Sequence, residues 1–85
     1  MPSISMFYGI VITMHWVDHQ PPHFHARYGE HKASFALSGE LMVGSMPSKQ
    51  TKLIAAWAVI HRDELAANWE LARECEQLYS IEPLR

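Results

Sequence analysis

With 85 residues and a formal net charge of −2, at a sequence pI near 6.3, the chain is expected to form a single domain over 1–85 that buries about 60 to 65% of its unfolded surface. The charge argues against a nucleic-acid binder that works by bulk positive charge, for which a domain pI above about 9 is usual, and leaves nucleic acid only a local patch to bind. A single cysteine, Cys75, excludes an internal disulfide. The absence of an apolar run of about 20 residues or a secretory leader pattern implies a soluble cytoplasmic protein without a membrane partner.

In chain order, the start is extended over 1–5, and the β-branched and aromatic residues over 6–17 predict a first strand with Gly9 as a bulge or bend. Asp18-His19-Gln20-Pro21-Pro22 follows, and its two prolines can neither donate to a ladder nor leave φ near −65°, so this segment is a loop closing a hairpin. Strands over 23–28, 31–37 and 41–44 are separated by turn signals at Gly29-Glu30 and Ser38-Gly39-Glu40. Beyond Pro47, with Ser45 or Ser48 as candidate cap, the period changes to that of a helix. Leu53, Ile54, Trp57 and Ile60 form one stripe, and Leu65, Trp69, Ala72 and Cys75 or Glu76 a second. One helix over 48–78 would run about 45 Å, too long for strands of about 20 Å. Two helices over 48–60 and 63–78 are therefore expected, broken at His61-Arg62-Asp63 with Asp63 as N-cap. Ile81 and Leu84 of the irregular tail are expected to dock on the body. The fold class is α+β: an antiparallel four-stranded meander with two C-terminal helices packed on one face.

The side-chain period of two also sorts the chemistry. A hairpin centred near Gln20 opposes His15 to His25 and Val17 to His23. Ile10, Ile12, Met14, Trp16, Phe24, Ala26 and Tyr28 then share an apolar face, joined by Ala33, Phe35 and Leu37 once Tyr28 pairs with His31. The other face collects His15, His23, His25, Arg27 and Lys32, with His19 in the loop, as a binding surface of solvated strand residues. Three chemistries fit it. His15, His23 and His25 could ligate a divalent transition metal, zinc, nickel or copper. His23 and His25 could act as paired acid and base, with Arg27 or Lys32 stabilising a phosphorane, as in a metal-independent ribonuclease toxin. The face or an exposed edge could instead bind a partner protein or a second copy of the chain. His31 and His61 read as turn and helix-terminus residues, and Cys75 carries no nucleophile motif.

Pro21-Pro22-His23-Phe24-His25-Ala26, with Met6-Phe7-Tyr8-Gly9-Ile10 before it and Trp57, His61, Glu64-Leu65, Asn68-Trp69 and Ile81-Glu82-Pro83-Leu84 after it, resembles the small bacterial family called domain of unknown function 4160. The resemblance covers nearly the whole chain. It implies a setting in toxin-antitoxin-like gene pairs, a partner protein from an adjacent gene, and in some members a regulatory label. Many relatives have a basic run after the proline that opens the first helix; Pro47-Ser48-Lys49-Gln50 has one lysine, which argues against nucleic acid there. The expectation is a small binding module that forms a homodimer when its partner is absent, because four short strands leave unprotected edges.

Overall fold

The computed structural model describes residues 2–85, so Met1, the first residue of the expected extended start, lies outside the described residues. Five strands, rather than four, form one antiparallel sheet in the order β1-β2-β3-β4-β5: β1 Ser3–Phe7, β2 Ile10–Thr13, β3 His23–Tyr28, β4 His31–Ala36 and β5 Leu41–Gly44. The expected long first strand over 6–17 is a hairpin, with Phe7 paired to Ile10 across Tyr8 and Gly9. Both turn residues have positive φ, +48° and +79°, the pattern of a type I′ turn, whose twist matches the flanking strands. Gly9 is the turn itself and not a bulge within one strand. The strand also ends early: β2 stops at Thr13, which leaves His15 and Val17 in a loop over 14–22.

Thr13, not His15, stands opposite His25. The register differs from the expected one by two residues, so every side chain keeps its face. Ile10, Ile12, Met14, Phe24, Ala26, Ala33 and Phe35 are all buried on the side that the helices cover. Across β3 and β4, Tyr28 pairs with His31 and Phe24 with Phe35, whose rings stack at 5.7 Å. Trp16 leaves the apolar face altogether and is 46% exposed.

Helix α1 spans Ser48–Ile60 and α2 spans Arg62–Arg73. Pro47 occupies the N-cap position of α1 without a side-chain cap, so neither Ser45 nor Ser48 serves as one, while the Thr51 hydroxyl donates to the carbonyls of Met46 and Pro47. Trp57 is the centre of the core: it is fully buried, packs on Phe7 and Phe24 at ring separations of 5.3 and 5.7 Å, and donates its indole N–H to the Glu82 carbonyl. Ile60, assigned to the same stripe, points to solvent at 65% exposure. The helices meet at His61, the N-cap of α2 in place of Asp63, and its Nδ1–H donates to Glu64 at 2.6 Å. Ile81 is buried and Leu84 packs beside it, with the Ile81 N–H on the Ile4 carbonyl, which ties the tail to β1.

The second helix stops at Arg73, well short of residue 78. Cys75 takes a left-handed φ of +58°, its N–H reaches the Ala72 carbonyl, and the Glu76 N–H reaches the Leu71 carbonyl. These two bonds are the Schellman arrangement that ends a helix, here built without the usual glycine. The same turn holds the loop over 14–22. The Val17 N–H also donates to the Ala72 carbonyl, and the Trp16 indole donates to the Glu76 carbonyl at 2.9 Å.

Candidate functional site

A loop pinned at both ends presents Asp18 to the strand histidines. Met14, fully buried, anchors its start, and Val17 is held with φ at +52°, a conformation that β-branched residues adopt only when their surroundings impose it. The next side chain, Asp18, turns back over β3. Its Oδ2 lies 3.0 Å from His23 Nε2, 3.1 Å from His25 Nε2 and 3.7 Å from His15 Nδ1. Its Oδ1 accepts the His19 N–H at 2.8 Å. The imidazoles of His15 and His25 stack at 3.9 Å, and His23 meets His25 edge-on at 5.0 Å.

Of the residues singled out from the sequence, His15, His23 and His25 therefore converge, on a carboxylate that was not among them. His19 contributes its backbone N–H while its side chain is exposed, and Arg27 and Lys32 lie further along the same face. The histidines are not equally solvated. His23 has a side chain only 9% exposed, 5.3 Å from the Trp69 ring, whereas His15 and His25 are about one-third exposed at 33% and 31%. His23 is thus part of the packed body and not a free strand residue. The one signal for Asp18 in the sequence is its spacing of three from His15, which carries little weight in an irregular segment.

The electrostatics favour an anionic carboxylate at Asp18. Burial opposes ionisation of Asp18, but the hydrogen bond from His25, the His19 N–H and the nearby imidazoles outweigh it and hold the carboxyl at about 2. Burial lowers the His15 imidazole below 6.5, and the neighbouring His25 lowers it further against the pull of Asp18. His15 Nδ1 is beyond hydrogen-bond reach of the carboxylate at 3.7 Å, so this nitrogen makes no hydrogen bond to Asp18. His23 is fixed differently. Its Nδ1–H donates to the Pro21 carbonyl at 2.8 Å, so Pro21 orients a ring whose Nε2 points at the carboxylate.

One donor atom from each of His15, Asp18 and His25 lies within 4.8 Å of the other two. Ligands held at about 2.0 to 2.2 Å from a tetrahedral ion stand roughly 3.3 to 3.6 Å apart, so small side-chain adjustments close the set. His23, buttressed by a backbone carbonyl in the way metal-bound histidines usually are, stands beside it. A family model described as domain of unknown function (DUF4160) matches residues 9–70, which include all of these side chains. No curated protein and no solved structure matches the chain.

Proposed function

The chain belongs to the DUF4160 family, and from the donor geometry of its loop we propose that it binds a divalent transition-metal ion, zinc first, through His15, Asp18 and His25. The observation that carries this reading is the convergence of two imidazoles and one ionised carboxylate on a single point. Two nitrogens and one oxygen suit borderline cations and leave a coordination position open towards solvent. Binding would displace the proton on His25 Nε2, so uptake should weaken as the pH falls.

The paired acid-base reading is less well supported. Both ring nitrogens of His23 already face oxygen partners, the Pro21 carbonyl and Asp18, which leaves neither free to exchange a proton with a substrate. A separate observation favours protein partnership: β5 is an edge strand, and its Leu41, Met42 and Val43 are all exposed. Such an edge suits strand addition by a partner or by a second copy of the chain.

The metal reading is tested on protein purified without a histidine tag, by metal analysis and by calorimetric titration of the chelator-treated protein with zinc. One ion per chain is expected, and Asp18→Asn should weaken zinc binding by at least about tenfold with the fold intact. Absence of both co-purified metal and saturable zinc uptake in the unsubstituted protein would overturn the reading.

A further inference from the structure

The outer face of the sheet, opposite the helices, has a concavity of about 350 Å³ between β2, β3, β4 and β5. Its lining runs from the stacked His15 and His25 at one end to Arg27 and Lys32 at the other. Arg27 and Lys32 are directly opposed across β3 and β4, and like charges in that position repel. Among the described residues neither forms an ion pair, even though Glu30 sits in the turn that joins their strands. Both side chains are exposed at the rim of the concavity, where an external anion would offset their repulsion.

We propose that this concavity is a receptor for a small organic phosphate, with the phosphate gripped between Arg27 and Lys32. The proposal goes beyond the metal reading and stands without it, since the grip uses no metal ligand. A phosphate monoester dianion neutralises both cations. The arginine supplies a planar fork of donors and the lysine a mobile point charge, both suited to phosphate oxygens. The remaining lining describes the organic part: Thr13 and Ser34 carry hydroxyls for hydrogen bonds, and Val43 offers an apolar wall. The volume is that of a small-ligand site. A nucleic acid would need a longer basic track than two residues on a chain of net charge −2. If the neighbouring cluster holds an ion, an oxyanion in the concavity lies beside it.

The test is titration of metal-free protein with inorganic phosphate and with phenyl phosphate, followed by backbone amide chemical shifts. Saturable shifts centred on Arg27, Lys32 and Ser34 are expected, with phenyl phosphate binding several-fold more tightly because its ring covers Val43. Arg27→Gln and Lys32→Gln should each weaken binding at least tenfold, while Lys32→Arg retains it. In phosphate-free buffer the two glutamine variants should melt at or above the temperature of the unsubstituted protein, because the repulsion is gone. Zinc titration of Arg27→Gln separates the two sites: unchanged zinc uptake with lost phosphate binding is the expected result. Absence of saturable shifts at Arg27 and Lys32, or undiminished phosphate binding by both glutamine variants, would overturn the proposal whatever zinc does. So would a single-stranded oligonucleotide that binds this face when phenyl phosphate does not.

Discussion

At the scale of single residues, the site depends on a carboxylate that sequence reading passed over and on one histidine that it misjudged. The Pro-Pro-His-Phe-His-Ala run drew attention to His23 and His25, and alternation set both apart from the apolar residues, although His23 is buried against Trp69 of the core. Alternation cannot reveal what covers a face. The loop over 14–22 folds back and places Asp18 on the histidines, and Trp69 packs against His23. The two strand histidines should consequently differ in what they hold together. His23→Ala removes a side chain only 9% exposed that packs on Trp69 and holds the Pro21 carbonyl, and is expected to cost about 1 to 3 kcal/mol. His25→Ala removes a side chain about one-third exposed, and in metal-free protein it should cost less than about 1 kcal/mol. Urea unfolding of both variants measures the difference; equal costs would mean that His23 is no better packed than His25.

At the scale of elements, two boundaries that depart from the sequence reading fall where a non-glycine residue adopts a left-handed conformation. Tyr8 does so at the first hairpin, where Tyr-Gly gives a weaker signal than Asn-Gly, and the turn is therefore read as an irregular strand. Cys75 does so at the end of α2, where no glycine or proline marks the stop, and the apolar stripe runs on through the sequence to residue 78. By contrast, the break between the helices is legible because length alone demands it, and Tyr28 pairs with His31 because Gly29-Glu30 leaves no other short turn. The Schellman turn is also what ties the second helix to the site loop, through Val17 and Trp16. Cys75→Gly relieves the left-handed penalty at a position that glycine favours, and should stabilise the protein by about 1 kcal/mol. For a domain of this size that corresponds to a rise of about 4 to 8 °C in thermal midpoint, readable by circular dichroism. A lowered midpoint would show that the exposed thiol contributes packing that the conformation alone does not account for.

At the scale of the whole molecule, loop, sheet and second helix are coupled through Asp18 and its anchors, so occupancy of the site should be read out as global stability. The acid limb comes first. The Asp18 carboxyl ionises at about 2 in the folded chain against an ordinary 3.8, so the folded state releases this proton more readily than the unfolded one. Its contribution is fully present above about pH 4 and is lost as the pH falls through 2. The lowered His15 acts in the same direction at higher pH: below 6.5 the unfolded chain takes up its proton first, which removes stability as acid is added. Thermal midpoints of metal-free protein should therefore decline from pH 7 towards pH 3, and Asp18→Asn should flatten the lower part of that decline. Zinc supplies the opposing force. A ligand that binds only the folded state adds RT ln(1 + [L]/Kd), about 2.7 kcal/mol at a hundredfold excess over Kd, or a rise of roughly 10 to 20 °C for a domain of this size. That rise should be largest near neutral pH and disappear towards pH 4, as protons displace the ion from the imidazoles. Melting curves across pH, with and without zinc, give both limbs in one experiment. A zinc-induced rise that persists in both Asp18→Asn and His25→Ala would place the ion elsewhere and remove the coupling between this loop and the stability of the fold.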